Sequence, residues 1–331
     1  MKKIMMTGLF AALLSALLPL TAFARELQVG GQAVGIQLHT RGVLVVALAE
    51  IETADGPRSP AGEAGFRVGD LIVRVGEREV ATAADFLDAV AATQGASAAV
   101  TALRAGKSVC MMVQPALSRE GQWMLGLWLR DGVTGVGTLT FFDPDSGVFG
   151  ALGHAVNDED TGTRLPVGSG SITDVQIVDV VPGLPGSPGE LSGCADVGRV
   201  LGQVEENTEQ GIFGHAAAAL AGRSVETGAM RPGPATILAT VQGREVREYT
   251  VQIDRVYSEN GARRALLTVT DPALKALTGG IVQGMSGSPI LQDGKLVGAV
   301  THVFVNSPER GYGLGIDEML AAAGLSAERA A

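Results

Sequence analysis

Gly279-Gly280-Ile281-Val282-Gln283-Gly284-Met285-Ser286-Gly287-Ser288-Pro289-Ile290-Leu291 is a glycine-rich turn that runs into an apolar strand. A serine flanked by glycines projects its hydroxyl from a tight turn, and small neighbours let a substrate backbone approach it. The amides of Gly284 and Ser286 then stand where an oxyanion hole is needed, a donor worth roughly 3–4 kcal/mol when removed. Ser288, nearer the strand, is the competing hydroxyl, and a β-turn without chemistry is the plain alternative. Outward from this turn, residues 118–331 alternate short apolar runs with glycine and proline. The runs are Gly135–Phe142, Ser171–Val181, Ala235–Val241, Val246–Tyr257, Ala265–Thr270 and Leu296–Val305. This spacing predicts a mainly β fold, a barrel or sandwich, with loops near 182–189 and 231–234 and a short helix over 317–324.

A nucleophilic serine needs a base, and there are four histidines: His39, His154, His215 and His302. His154, in Phe149-Gly150-Ala151-Leu152-Gly153-His154-Ala155, and His215, in Ile212-Phe213-Gly214-His215-Ala216, have similar contexts, and local pattern does not separate them. His302 lies inside the apolar run Gly298-Ala299-Val300-Thr301-His302-Val303, which reads as a core or pocket-wall position. The 284–289 turn is similar to the Gly-x-Ser-Gly-x-Pro turn of chymotrypsin-like peptidases. It departs from the GxSxG elbow, because its second glycine follows the serine directly.

The 331 residues suit two domains better than one core. Only 18% are charged, 46 are glycine and the formal charge is −10. No lysine or arginine cluster stands out, so nucleic acid is not an expected partner. No HExxH or CxxC spacing occurs, so neither a metal nor another cofactor is expected. Cys110 and Cys194 read as two buried free thiols, with a disulfide as the alternative in an exported protein. Export is expected from residues 1–24: Lys2 and Lys3, an apolar run from about Leu9 to Leu20, then Ala22-Phe23-Ala24. An uncleaved anchor is the alternative, and both readings put the remainder outside the cytoplasmic membrane.

Residues 25–117 read as a small domain in front of a peptidase domain at 118–331. Strands are expected at Val43–Leu48 and Leu71–Val75, a helix from Ala83 to about Thr93 capped by Thr82, and a hairpin from Ala98–Arg104 to Val109–Val113. The order resembles a PDZ domain of the bacterial protease type. The matching residues are Val34-Gly35-Ile36-Gln37-Leu38, Gly42-Val43-Leu44-Val45 and the Ser59-Pro60-Ala61 to Gly69-Asp70-Leu71-Ile72 run. A PDZ domain implies a peptide ligand pairing with the edge strand at Gly35, Ile36, Gln37 and Leu38; a lobe that only packs on its neighbour is the alternative.

The chain resembles the SpoIVB peptidase family over nearly its whole length. The likeness is carried by Gly279–Ile290, by Gly298-Ala299-Val300-Thr301-His302-Val303-Phe304-Val305-Asn306, and by Gly311-Tyr312-Gly313. Upstream it is carried by Gly135-Val136-Gly137-Thr138-Leu139-Thr140-Phe141-Phe142-Asp143-Pro144 and Gly150–His154. The resemblance implies a PDZ-like domain followed by a chymotrypsin-like β-barrel peptidase domain, with Ser286 as nucleophile, His154 as base and Asp271 as acid. Asp271 stands only 15 residues before Ser286, whereas a two-barrel enzyme takes its acid from the histidine's barrel. Asp158 and Asp179 are therefore alternatives, and a turn or cap ahead of Pro272 is the structural reading of Asp271. By the same likeness His302 is expected to touch substrate. The implied function is a serine endopeptidase that cleaves a membrane-associated regulatory protein, and itself, in signalling between membranes during spore formation. A non-catalytic PDZ protein with a degenerate peptidase fold is the alternative.

Overall fold

The structure, a computed structural model, describes residues 25–325; the export signal expected over residues 1–24 lies outside the described residues. In chain order the strands are β1 (Glu26–Val29), β2 (Ala33–Leu48), β3 (Ile51–Thr53), β4 (Gly56–Arg58), β5 (Leu71–Val75), β6 (Arg78–Glu79), β7 (Ala98–Arg104), β8 (Lys107–Val113), β9 (Ala116–Leu117), β10 (Trp123–Met124) and β11 (Leu127–Phe142). They continue with β12 (Val148–Ala151), β13 (Val167–Val181), β14 (Glu190–Thr208), β15 (Gly211–Ala216), β16 (Arg223–Glu226), β17 (Gly233–Ala239), β18 (Arg247–Glu259), β19 (Ala262–Val269), β20 (Pro289–Gln292), β21 (Lys295–Phe304) and β22 (Ser307–Gly315). The helices are α1 (Pro60–Ala64), α2 (Ala83–Ala92), α3 (Pro272–Thr278) and α4 (Ile316–Ala322). None of them is long and apolar enough to cross a membrane.

Alternating apolar residues curl the strands into two barrels. In the first, β2 pairs with β11 on one edge and β13 on the other. β13 pairs with β14, β14 with β15, β15 with β12, and β12 returns to β11. Its inward residues include Ile36, Leu38, Leu139, Phe149 and Ile172. The second barrel closes in the order β17-β18-β19-β22-β21-β20, around Ile237, Ile253, Leu267, Ile290 and Val300. Full burial of each such side chain contributes about 1.5–3 kcal/mol. Leu27, Phe141, Phe213, Leu296 and Met319 form a further cluster that joins the two barrels and α4. The mainly β expectation holds, in the form of two six-stranded antiparallel barrels.

The small lobe also takes its expected form. Val43, Val45, Phe66, Ile72, Phe86 and Val100 form its core. α2 opens on a capping box, with Thr82 and Asp85 bonding each other's backbone amides, an arrangement worth about 1 kcal/mol. Asp70 is wholly buried and takes a two-pronged pair of 2.7 Å bonds from Arg104, the partner a buried carboxylate needs.

The lobe is not simply in front of the peptidase. β2 and β11 are long strands that begin in one unit and end in the other. Residues 33–39 of β2 are barrel wall paired with 132–138 of β11, while Leu44–Leu48 pair with Leu127–Arg130 inside the lobe. The lobe is thus inserted between the first two strands of the first barrel. This corrects the peptide-binding edge expected at Gly35–Leu38. Gly35 lies between Val136 and Thr173, Ile36 between Gly135 and Ile172, Gln37 between Thr134 and Ser171, and Leu38 between Val133 and Gly170. Both edges are saturated, so no ligand strand can add there. The cysteines are corrected too: both are free, but both are exposed.

Candidate active site

The serine turn sits at the seam between the barrels and is held from across it. Thr138 Oγ1 donates to the Gly284 carbonyl at 2.8 Å, and the Thr138 amide to the Ser286 carbonyl at 2.9 Å. Thr140 Oγ1 donates to the Gly287 carbonyl at 2.8 Å. Gly287 has φ +96°, and a Cβ there would lie 2.1 Å from the Thr138 oxygen and 2.5 Å from the Leu152 nitrogen. Only glycine fits so close an approach. The amides of Gly287 and Ser288 bond to Val300 and Met285 carbonyls. Among the described residues, the amides of Gly284 and Ser286 find no acceptor, and both residues line the cavity beside the turn. Unpaired backbone donors of this kind are groups that can meet a developing oxyanion.

His154 arrives from the other barrel, just beyond β12. Leu152 and Gly153, both at φ +72°, turn the chain so that the imidazole leaves the barrel wall. Its Nδ1 lies 2.7 Å from the Ala155 carbonyl. That nitrogen therefore carries the proton as donor, and Nε2 is free to accept one. Burial holds the His154 pKa below the ordinary imidazole value of 6.5, so the ring is neutral at neutral pH. The segment behind it is fixed by Asn207 at the end of β14. Asn207 accepts from the Val156 amide at 2.9 Å and donates to the Val156 and Leu165 carbonyls at 2.7 and 3.0 Å.

His154 and His302 stack with ring centroids 4.5 Å apart. Surrounding protein and the nearby His154 push the His302 pKa down to about 4. Both histidines line, with Ser286, Gly284 and Thr301, a cavity of about 640 Å³ between the barrels. Ser286 Oγ donates to the Thr301 carbonyl at 2.7 Å, so the hydroxyl is parked on backbone rather than on the imidazole.

Ser286, His154, Gly284 and His302 are thus brought together. Of Gly35, Ile36, Gln37 and Leu38, only Ile36 lines the cavity. Ser288 is fully buried, and its hydroxyl faces no partner. His215 is exposed and bonded to Glu205. The acid is corrected: Asp271 caps α3, accepting from the amides of Ala273, Leu274 and Thr250, and is outside the cavity. A carboxylate so placed is where the short helix after it puts its N-cap. Asp179 is exposed on a separate hollow. Asp158 is buried, takes the Thr161 amide and pairs with Arg130 at 3.0 Å. Among the described residues no carboxylate bonds His154; the Ala155 carbonyl does so instead. Sequence reading missed Thr138, Thr140 and Asn207. The threonines carry a signal, since they sit at alternate positions between the apolar Leu139 and Phe141. Asn207 carries none.

Two barrels that meet at a serine turn, a neutral imidazole and paired free amides define a serine peptidase, here with a PDZ domain. The SpoIVB peptidase S55 family model matches residues 121–320 and a PDZ model matches residues 53–104. This chain belongs to the SpoIVB peptidase S55 family. The matched span begins after residues 33–40, which nonetheless supply a strand of the first barrel. Solved structures match at low similarity. The active form of the Rv3671c protease from M. tuberculosis aligns at 13% identity and TM-score 0.35, covering 59% of this chain and 76% of that one. The inactive form of its serine-to-alanine mutant aligns at 11% and 0.32, covering 57% and 82%. No curated protein matches significantly.

Proposed function

We propose that this chain is an extracytoplasmic signalling endopeptidase that cleaves a membrane-associated regulatory protein, and its own chain, with Ser286 as nucleophile and His154 as base. One observation carries the catalytic part: Ser286, the His154 ring and the unpaired amides of Gly284 and Ser286 share one cavity. The signal-like first 24 residues support the location, and the family supports the signalling role.

Rotation about χ1 turns Ser286 Oγ from the Thr301 carbonyl toward His154. The oxygen attacks the scissile carbonyl carbon as Nε2 takes its proton. The negative oxygen that forms is met by the amides of Gly284 and Ser286. The imidazolium is held through Nδ1–H by the Ala155 carbonyl and returns its proton to the leaving amine as the C–N bond breaks. Water then repeats the sequence and frees the acyl group.

The test is labelling of the purified chain by a fluorophosphonate, together with self-cleavage on incubation. Both occur in the wild type and vanish in Ser286→Ala. Equal labelling or equal self-cleavage of the two proteins would refute the assignment.

A further inference from the structure

His154 and His302 are stacked on the catalytic cavity, with ring centroids 4.5 Å apart and ring planes inclined by 35°. Each ring holds an electron pair that the described residues leave unused. His154 spends Nδ1 on the Ala155 carbonyl, which leaves Nε2 as its acceptor nitrogen. His302 is exposed on β21. Among the described residues only His154 and His215 form ring hydrogen bonds, so neither nitrogen of His302 is engaged. Ser286 Oγ rests on the carbonyl of Thr301, the residue just before His302. Nucleophile, base and second imidazole therefore meet at one spot.

The charges around the cavity favour a cation. Among the described residues that line it, Glu159 is the one carboxylate, and it is exposed and outside every ion pair. Arg130 is the one guanidinium, and it is spent on Asp158 at 3.0 Å and on Asp160. Arg264, whose charge reaches His302 from outside the cavity, is paired with Glu259 at 2.9 Å. The uncommitted charge facing the two imidazoles is thus negative.

We propose that His154 and His302 form a two-histidine site for a zinc ion, and that zinc bound there reversibly switches the peptidase off. The switch rests on the reading of His154 as base. Imidazole nitrogen is a preferred zinc ligand, at about 2.0–2.1 Å. Two such bonds meeting at the tetrahedral angle set the nitrogens about 3.3 Å apart. Rings centred 4.5 Å apart reach that spacing by side-chain rotation alone. A cavity of about 640 Å³ leaves room for two further ligands, either waters or the Ser286 oxygen turned away from Thr301. With only two protein ligands the ion exchanges with solution, unlike the closed four-ligand site of a structural zinc. Coordination occupies the Nε2 electron pair that accepts the Ser286 proton, so zinc-bound His154 is no longer a base. Departure of the ion restores the pair, and no covalent bond of the protein is made or broken. Loss of a general base costs about 10²–10⁴ in rate. Calcium and magnesium take oxygen ligands, so neither is expected to bind here.

The test uses the full chain carrying Cys110→Ser and Cys194→Ser, since exposed thiols themselves take zinc. Calorimetric titration of zinc into this chain with Ser286→Ala added reads binding without turnover. A site of one ion per chain is expected. It is lost in His154→Ala and in His302→Phe, and kept in His215→Gln, whose imidazole bonds Glu205 on the surface. With Ser286 intact, fluorophosphonate labelling is expected to slow about a hundredfold or more at saturating zinc. The rate recovers on chelation and is unmoved by calcium or magnesium. In His302→Phe the ratio of labelling rates without and with zinc falls toward one, whatever the rate of the variant itself. His302→Gln, polar and of similar length, gives the same ratio and serves if the phenylalanine variant does not fold. Zinc binding that survives loss of either histidine overturns the site but not the peptidase. So does slowing by zinc that persists in both His302 variants. A zinc-free wild type that never labels would instead sink the catalytic reading, while the calorimetric titration still decides whether the ion is held by the two histidines.

Discussion

Asp271 spends its carboxylate on three backbone amides at the start of α3. Asparagine caps as well as aspartate, and alanine does not. Asp271→Asn is therefore expected to keep kcat/KM within about threefold of wild type, and Asp271→Ala to lower stability by about 1 kcal/mol. A drop near 10⁴ in the asparagine variant, as follows loss of a triad carboxylate, would make Asp271 catalytic after all. A second expectation concerns acid stability. His302 has a folded-state pKa of about 4 against an ordinary 6.5. As pH falls below 6.5 the unfolded chain takes the proton first, so stability drops between pH 6.5 and about 4 and is flat above. Buried His154 acts in the same direction. Denaturant midpoints at pH 7 and 4.5 should differ less in His302→Phe than in wild type; an unchanged difference would remove His302 from the account. Ser286 and Gly284 were legible from their immediate neighbours; His154, which local pattern did not separate from His215, was legible only through the family resemblance. The orienting partner of His154 was not. Whether a carboxylate or a carbonyl meets an imidazole depends on where distant segments land, and the Ala155 carbonyl has no side-chain letter to read.

At the scale of elements, the strands were legible wherever apolar residues alternate, because a barrel wall faces core and solvent in turn. α3 was not, because Pro272–Thr278 is under two helical turns and leaves too short a period to see. Gly35–Leu38 misled because buried Ile36 and Leu38 alternating with exposed Gln37 and His39 describes an interior barrel strand as well as a sheet edge. Register decides between them, and register is a property of pairs. The same holds for the end of β14. Asn207 staples the segment behind His154 with three bonds, fixing the carbonyl that in turn orients the ring. Asn207→Ala leaves partly buried backbone groups unpaired, at a cost of about 1–3 kcal/mol. It is expected to lower kcat more than it raises KM, and to slow fluorophosphonate labelling in the folded variant. A folded Asn207→Ala protein that labels at the wild-type rate would show that His154 needs no such support.

At the scale of the molecule, the order lobe-then-peptidase is replaced by insertion, with a testable consequence for how the chain can be cut. A piece starting at residue 118 keeps every motif of the active site but lacks Ala33–Thr40, the strand that bridges β11 and β13. The first barrel then has two open edges and loses Val34, Ile36 and Leu38 from its core, at about 1.5–3 kcal/mol per side chain. That is comparable to the whole stability of a domain, so the piece is expected to be insoluble or unfolded. Excision by the other route respects the register. His39 pairs with Gly132, so an Asn-Gly turn replacing residues 40–131 makes a two-residue hairpin of the two barrel strands. This deletion removes Arg130 and strands its buried partner Asp158, so Asp158→Asn belongs in the same chain. The excised protein is expected to unfold cooperatively, take the fluorophosphonate label and cut short peptides. Should the 118–331 piece fold and label while the hairpin version does not, the lobe would be a separate domain after all, and the barrel assignment of residues 33–40 would be wrong.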